Sequence, residues 1–526
     1  MPSPSRHVPR SLAVPVACFA LAATSAAAEV TAADVWRSWQ GSFAAAGEEL
    51  ALRTGPVSAA GNGLTVADAA LVFAPDMAPA QGEFRMEVAL GDIVFAEDGD
   101  GAVAVTLTEE IPITLTGVDE AGEPFSARFL MTLGGTDIRA SGSPEALRHE
   151  ATSREVALQL EEMRPQEDGE AVDIAVTLTG LTQSSVVEEG DPRRTSFTTA
   201  IDTLAYALSA DIPGDGSFSL DYQSLDYAVA GSVALPDGSE GSDEVGTLLA
   251  DDSYAVRFEA TSSASAGNLS FEDTAPGGDV DFGGASGSVD ITAGAGAQSL
   301  TLAEGAVSYE GRADAFTAAM LTDQLPVPVS VALGGSTFTF ATPLSPREAE
   351  GEIRLGLALR ELALDDFIWD LFDPAAVLPR DPATLVIDLA GLGRWLVDPF
   401  NESALAAQED DELPGEVSGA RIEALELSAA GARVTADGAV RFDYSDRETF
   451  DGLPAPEGQL TARLEGVGGL LDKLVMMGLL PQEQSMGARL MLGLFASPVP
   501  GQEDTFTSTL AVEPDGSVFA NGQQIR

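Results

Sequence analysis

The chain has 526 residues, of which 83 are acidic and 27 basic, so its formal net charge is −56 at neutral pH. Such an excess of negative charge repels nucleic acid and anionic membrane surfaces, and we expect neither as a direct partner. Cys18 is the only cysteine and 45% of the residues are hydrophobic, which predicts a large core that depends on packing and not on disulfide bonds.

The N-terminus has the three parts of a secretory signal peptide. Residues 6–10 include basic side chains, residues 12–23 are apolar, and Ala26-Ala27-Ala28 supplies small residues for cleavage. We therefore expect residues 1–28 to be removed and the mature protein to begin near Glu29 in the periplasm. An uncleaved anchor is the alternative, because the uncharged stretch approaches the length of a membrane span.

A helix is predicted directly after the cleavage site. Thr31 is placed to cap it, and Asp34 in the first turn suits the helix dipole. Apolar residues at spacings of three and four predict one buried stripe, which consists of Val35, Trp36, Trp39 and Phe43.

From about residue 64 to residue 364 the apolar period is two, which is the spacing of β-strands with one buried face. Clear examples are Phe84 to Leu90, Val103 to Leu107, Ile111 to Leu115, Val172 to Leu178 and Ile353 to Leu359. Residues 29–364 are therefore predicted to form the N-terminal helix and an extended antiparallel β region. The fold class is mainly β (α+β), with one long, largely antiparallel sheet.

Glycine-containing segments divide these strands. Asp98-Gly99-Asp100-Gly101, Asp437-Gly438 and Asp515-Gly516 are predicted to be turns, because glycine adopts the positive φ that hairpins need. Long Gly/Ser/Asp-rich loops are predicted within residues 236–287, at 236–246 and 262–287.

Residues 365–526 are predicted to form a C-terminal α+β region. Residues 365–374 predict a short helix, and residues 466–496 predict two amphipathic helices separated by Pro481. We expect this pair to pack on the apolar face of the sheet, with Leu490 buried. Flexible apolar side chains adapt to irregular ligands, and the candidate ligand-binding residues of the pair are Leu474, Met477, Met486, Leu490 and Leu494.

Several short sequence motifs resemble an uncharacterised bacterial envelope family, domain of unknown function 2125. They are Asp34-Val35-Trp36-Arg37-Ser38-Trp39, Trp369-Asp370-Leu371-Phe372-Asp373-Pro374, Leu378-Pro379-Arg380-Asp381-Pro382, Met477-Gly478-Leu479-Leu480-Pro481, Met486-Gly487-Ala488-Arg489 and Ala520-Asn521-Gly522-Gln523. The resemblance implies export and a β-rich fold, and it supplies no catalytic residues. A looser similarity, in the Leu-rich strands, is to AsmA-like periplasmic bridge proteins, which handle lipid.

Few residues could carry out catalysis. His149 is the only histidine after the signal segment and is expected on the surface, while Lys473 is the only lysine. No G-x-S-x-G or S-x-x-K motif accompanies them, and zinc, haem or non-haem iron sites need more His or Cys ligands. We therefore expect no enzymatic activity, no cofactor and no bound metal. Calcium is the most plausible ion at acidic turns because it needs only oxygen ligands, and the candidate ligands are Asp98 to Gly101, Asp279 to Asp281, and Asp366, Asp370 and Asp373.

Three functions remain open on the sequence. The first is a non-enzymatic periplasmic protein that holds an apolar ligand, such as a lipid, or a hydrophobic segment of an envelope protein against its sheet. The second is a carboxylate-dependent enzyme on envelope glycans. The third is a scaffold for envelope assembly that exposes an apolar patch.

The net charge also predicts that stability depends on salt. Like charges repel one another less when they are screened, so the melting temperature should rise as ionic strength increases from about 10 to about 150 mM. Thermal unfolding in a neutral salt series measures this, and a flat or falling melting temperature would show that the acidic side chains are already locally compensated.

Overall fold

The alternating sequence folds into one antiparallel β-sheet. The fold is seen in a computed structural model that describes residues 30–44, 49–75, 83–118, 122–164, 170–236, 249–273, 284–408, 413–450 and 452–526. The first elements in chain order are α1 (Ala32–Ala44), β1 (Leu50–Arg53), β2 (Val57–Ala60), β3 (Gly63–Phe73), β4 (Glu83–Glu97), β5 (Val103–Thr106), β6 (Glu110–Val118), β7 (Pro124–Gly134), β8 (Asp137–Ser143) and β9 (Ala146–Arg164).

The middle of the sheet contains its longest strands. They are β10 (Ala171–Glu188), β11 (Arg193–Ile212), β12 (Gly216–Leu235), β13 (Ala255–Ser262), β14 (Ala264–Asp273), β15 (Ser286–Ala293), β16 (Gly296–Ala303), β17 (Ala306–Thr322), β18 (Val329–Pro343) and β19 (Gly351–Leu364).

The last part adds four helices to the same sheet. Its elements are α2 (Asp366–Asp370), β20 (Ala383–Trp395), α3 (Glu402–Ala406), β21 (Gly415–Ala429), β22 (Ala432–Asp443), β23 (Ala455–Glu465), α4 (Val467–Met476), α5 (Gln482–Phe495), β24 (Ser497–Pro498), β25 (Thr505–Val512), β26 (Val518–Ala520) and β27 (Gln523–Gln524).

The strands follow one another across the sheet as a long meander. From β9 to β12, and again from β17 to β23, each strand pairs with the next one along the chain. Elsewhere two shorter strands lie in line, so that β13 and β14 both pair with β12 and lead through β16 and β15 to β17. The prediction of a mainly β, largely antiparallel fold is confirmed.

The sheet does not break at residue 365, where the sequence suggested a regional boundary. β18 pairs with β19, and β19 pairs with β20 on the other side of that position. The change in composition corresponds to α2 and its loop, which connect two neighbouring strands at one end of the sheet.

Bulges interrupt several long strands. One lies at Glu361, which has positive φ, and there the pairing of β19 with β20 shifts by one residue between Leu359 and Leu362. A bulge adds a residue to one strand and bends it. Because the alternation resumes in phase with the neighbouring strands, the same face stays apolar on both sides of the bend.

Helix α1 packs on the apolar face over the first strands. The Thr31 hydroxyl accepts a hydrogen bond from the Asp34 N–H at 3.2 Å, which confirms the predicted cap. Val35 and Trp36 are buried, and Trp36 and Trp39 contact the ring of Phe95. This helix and the strands beneath it form the main cluster of fully buried apolar residues.

Two predicted turns are confirmed and one is wrong. Asp98 to Gly101 connects β4 to β5, and Asp515-Gly516 connects β25 to β26. Asp437-Gly438, however, lies inside β22. An added Cβ at Gly438 would lie 2.5 Å from the carbonyl oxygen of Gln459, so this glycine allows close approach of two strands and does not form a turn.

The loop predictions for residues 236–287 are partly wrong. Residues 264–273 form β14, which pairs with β12 and β15 over its length. Its Ser, Ala and Gly residues give it a composition typical of loops, but in the sheet these small residues lie beside larger side chains of neighbouring strands. Residues 237–248 and 274–283 lie outside the described residues, and the possible calcium ligands Asp279 and Asp281 lie there.

The two C-terminal helices form as predicted, and α5 begins directly after Pro481. The Asp504 carboxylate accepts hydrogen bonds from the N–H groups of Gly468 and Gly469 at 2.9 and 2.8 Å, which caps α4. The expected burial of α5 is wrong, because Leu490 is 66% exposed. The apolar stripe of α5 faces outward and is not part of the core.

The Asn-Gly motif near the C-terminus holds the end of α5. The Asn521 side-chain amide donates a hydrogen bond to the Phe495 carbonyl at 2.9 Å, and its oxygen accepts one from the Thr509 N–H at 2.9 Å. Ser508 also donates to the Phe495 carbonyl. The last strands therefore fix where α5 ends.

The different burial of Phe95 and Leu490 gives a stability test. Phe95 is completely buried beneath α1, so Phe95→Ala should lower the free energy of unfolding by about 3–5 kcal/mol. Leu490→Asp should change it by less than about 0.5 kcal/mol, because the side chain is exposed. Chemical denaturation of both variants measures the difference. A large loss of stability in Leu490→Asp would mean that α5 is packed in solution.

Candidate functional site: the uncovered apolar face

The strand register sorts the side chains of the sheet onto two unlike faces. Directly paired residues in adjacent antiparallel strands point to the same side. We call one side the apolar face, and one row of paired residues crosses it from the fifth strand to the twenty-sixth. Its members are Val103, Ala140, His149, Ser185, Phe197, Gly231, Phe258, Leu300, Tyr309, Phe340, Leu355, Leu389, Ile422, Gly438, Leu460, Leu510 and Ala520.

Charge is almost absent from the apolar face. Among the described residues of β10 to β25, the charged side chains that point to it are Arg193 and Asp273, both at strand ends. Arg193 pairs with Glu189, and Asp273 accepts a hydrogen bond from the Gly284 N–H at 2.7 Å. Interior positions of this face therefore carry no formal charge.

The opposite side, which we call the charged face, carries the ionised side chains of these strands. Arg354 pairs with Asp388 across β19 and β20 at 3.0 Å, and Arg394 pairs with Glu416 across β20 and β21 at 2.8 Å. Neighbouring carboxylates raise the already high pKa of Arg354, chiefly through the hydrogen bonds that Arg354 donates to Asp388. The charged face is therefore hydrophilic.

Large apolar side chains remain open to solvent on the apolar face. The exposed fractions are 42% for Phe338, 47% for Leu355 and 50% for Leu427. Exposed apolar surface of this extent is uncommon in monomeric proteins and marks binding surfaces. These side chains give the apolar face exposed hydrocarbon beyond the region that α1 covers.

Two cavities lie on this face. The first, of about 450 Å³, lies over β12, β13 and β16 to β19, and we call it the neutral hollow. On the apolar face it is lined by Tyr227, Ala260, Ser262, Gly296, Gln298, Tyr309, Gly311, Ala313, Ser336, Phe338 and Leu357. Thr261, Ala297, Arg312 and Thr337 also line it, from alternate positions of the same strands whose side chains belong to the charged face.

The second cavity, of about 280 Å³, is almost entirely apolar. Leu389, Ile422, Leu460 and Leu510 line it, and all four belong to the row of paired residues described above. Leu389 connects it to the exposed Phe340 and Leu355 through direct strand pairing. The two cavities therefore lie along one continuous apolar surface.

Tyrosines add hydrogen-bonding groups to this face without adding charge. The rings of Tyr206 and Tyr222 lie 5.9 Å apart. Burial, together with the nearby Tyr227 and Tyr222, raises the pKa of Tyr206 above its ordinary value. Its hydroxyl therefore stays protonated and neutral at physiological pH.

A further cavity, of about 590 Å³, lies on the charged face and not on the apolar face. Arg139, Glu150 and Glu259 line it together with Ser, Thr and Ala residues. Glu150 pairs with Arg148 at 3.1 Å, and no aromatic side chain is among the lining residues. Its lining combines charged side chains with small polar and apolar ones.

His149 lies under α1 and not on the surface, so that prediction is wrong. Its position on the apolar face of β9 turns the ring inward, and Nε2 accepts a hydrogen bond from Trp39 Nε1 at 3.0 Å. The accepting nitrogen must be unprotonated, which fixes the neutral ring with its proton on Nδ1. Burial lowers the pKa of His149 and favours this neutral form.

The acidic clusters considered for calcium are engaged in structural contacts. Arg380 pairs with Asp366 and Asp370 at 2.6 Å each. Asp373 is buried and accepts hydrogen bonds from the N–H groups of Val377 and Leu378.

The other described cluster, at the turn after β4, is similar. Asp98 accepts the N–H groups of Asp100 and Ala102 and pairs with Arg139. No group of three or more potential ligands is arranged to hold a metal ion within the described ranges.

The sequence-predicted ligand-binding residues do not line the cavities of the apolar face. Leu474 and Met477 are half-buried at α4, which contacts β22. Met486, Leu490 and Leu494 are 59%, 66% and 61% exposed on α5. They form a separate apolar ridge, and their role in binding stays a prediction.

The strands that form the two cavities were not selected by the sequence analysis as a site. The sequence contained one signal for this site: residues 329–343 have no charged side chain, although the chain has 83 acidic residues. Uncharged β18 lies directly between the hollow and the exposed Leu355.

Comparison with known proteins adds no relative. No family model matches the chain, and a search of curated protein sequences found no match. The resemblance to the envelope family stays a prediction. Among the described helices, none has both the length and the apolar character needed to span a membrane.

The Trp39–His149 contact predicts a pH-dependent stability. Burial lowers the pKa of His149 in the folded protein. The contribution of neutral His149 to the free energy of unfolding is therefore fully present above the pKa of an unfolded histidine, about 6.5, and is lost as the pH falls from that value toward the folded pKa. His149→Gln keeps an acceptor for Trp39 but does not titrate. The unfolding free energy of the native chain should therefore fall relative to the variant between about pH 7.5 and 5.5. A constant difference between them across this range would contradict the assignment.

Proposed function

We propose that this chain is an exported, non-enzymatic envelope protein that holds acyl lipid against its apolar face in the periplasm. The observation that carries the proposal is the absence of charge from the interior of that face, in a chain whose net charge is −56. A surface that only had to be solvated would not exclude charge. Hydrocarbon is the ligand that such a surface recognises.

The dimensions of the face also suit acyl chains. Neighbouring strands are about 4.8 Å apart, so β10 and β23 are separated by roughly 50 Å along the sheet. The acyl chains of one bilayer leaflet span about 15 Å, half of a hydrocarbon core of about 30 Å. The apolar face is long enough for several chains in series.

The chemistry of the described residues supports a binding role over an enzymatic one. The imidazole of His149 is turned toward Trp39, and the acidic clusters pair with arginines or backbone N–H groups. The cavity on the charged face has carboxylates but lacks the aromatic side chains that would stack on a sugar. An enzyme on glycans is therefore the weaker alternative.

A second candidate function has one observation in its favour. The outward ridge of α5, with Met486, Leu490, Met491 and Leu494 each more than half exposed, resembles a surface that contacts a hydrophobic segment of another envelope protein. A scaffold or delivery role for this ridge is compatible with lipid held on the sheet.

A pair of adjacent substitutions tests the main proposal. Phe338 points to the apolar face, whereas Thr337 is exposed on the charged face opposite Arg312. Phe338→Glu should reduce co-purified lipid at least about tenfold, because an unpaired carboxylate is poorly accommodated in hydrocarbon. Thr337→Glu should retain the lipid. Native mass spectrometry of protein released from the periplasmic fraction measures the occupancy.

The same experiment has outcomes that reject the proposal. Lipid-free native protein that also fails to bind added phosphatidylcholine would exclude the function. Equal occupancy in both variants would show that lipid is bound elsewhere. Absence of the protein from the periplasmic fraction would exclude the proposed location.

A further inference from the structure

The neutral hollow differs from the rest of the apolar face in its chemistry. Small residues at Ala260, Gly296, Gly311 and Ala313 form its base. Tyr309 lies across Gly311, where an added Cβ would be 2.9 Å from the tyrosine hydroxyl oxygen. The hollow is formed because small residues lie next to aromatic side chains on adjacent strands.

Hydrogen-bonding groups surround this hollow, and none of those on the apolar face is charged. They are the hydroxyls of Tyr227, Tyr309, Ser262 and Ser336 and the amide of Gln298. The Tyr309 hydroxyl donates to the Gln298 side-chain oxygen at 3.4 Å, a long hydrogen bond that a better acceptor would replace. Within the described part of the chain, the Gln298 amide nitrogen has no protein acceptor.

These groups match a neutral carbonyl better than an anion. A carboxylate or phosphate held here would lose its hydration without meeting a cation on this face, which is unfavourable. Pure hydrocarbon would leave the tyrosine and amide donors without acceptors. An ester or amide carbonyl accepts hydrogen bonds and carries no charge.

The distance to the second cavity suits one acyl chain. Tyr309 on β17 and Leu389 on β20 are three strand spacings apart, or roughly 14 Å, and Ile422 on β21 is roughly 19 Å away. Between them lie Phe340 and Leu355, which belong to the same row. A chain of about 15 Å that begins at the hollow therefore reaches the second cavity.

We propose that the neutral hollow binds the ester or amide linkage of an acyl lipid, with one acyl chain directed along Phe340 and Leu355 toward the second cavity. This inference rests on the proposed function and adds the class of ligand. The ligand is an acyl lipid with a neutral linkage, and any charged headgroup remains outside the apolar face.

The test compares lipids that differ only at the linkage. Delipidated full chain is titrated with ester-linked dipalmitoyl phosphatidylcholine and with its ether-linked analogue, which has the same headgroup and hydrocarbon but no carbonyl groups. The native chain should bind the ester lipid about five- to tenfold more tightly, the effect of one net hydrogen bond. Palmitate, which brings a carboxylate, should bind more weakly than the ester lipid.

Variants assign the difference to the hollow. Tyr309→Phe combined with Gln298→Leu should remove the preference for ester over ether. Tyr206→Phe removes a hydroxyl from the same face outside the hollow, so it should keep the preference. Thermal melting of each variant checks that it is folded.

The outcomes separate the two proposals. Equal binding of ester and ether lipids by the native chain, or a preference that survives the double substitution, overturns the assignment of the hollow and leaves lipid binding intact. Failure to bind either lipid overturns the proposed function, and the assignment of the hollow with it.

Discussion

The side-chain period of two controls this structure, because it places charge on one side of the sheet and apolar side chains on the other. In β19, Arg354 and Leu355 are neighbours in sequence but belong to opposite faces. Ion pairs such as Arg354–Asp388 then form between strands on the charged face. A shift in register by one residue would move every charge to the apolar side, so the separation of charged and apolar side chains depends on the strand register.

That constraint also explains why bulges and not loops bend the long strands. An extra residue such as Glu361 bends its strand, and the next strand makes a compensating adjustment, so the faces stay in phase. The meander can therefore curve while the interior positions of one face remain uncharged from β10 to β25 among the described residues. Small residues such as Gly311, set beside large rings such as Tyr309, then create hollows in a surface that would otherwise be flat.

Helix α1 covers the first part of the apolar face. Helix α1 closes it over Phe95 and Val103, and the Trp39–His149 hydrogen bond fixes the helix at this end. Farther along, Phe338 and Leu355 remain open to solvent. The charged face and the net charge of −56 favour repulsion between copies of the chain.

The sequence alone determined the elements, because alternation at Phe84 to Leu90 or Ile353 to Leu359 and the cap at Thr31 depend on neighbours a few residues away. It could not determine whether the Leu490 stripe is buried, since an amphipathic pattern is the same for a helix that packs and one that exposes its apolar side. Nor could it distinguish Gly438 in a strand from a glycine in a turn. Tertiary structure decided these points and assembled the hollow from separate strands, because cross-strand register brings together residues as far apart as Tyr227 and Leu357.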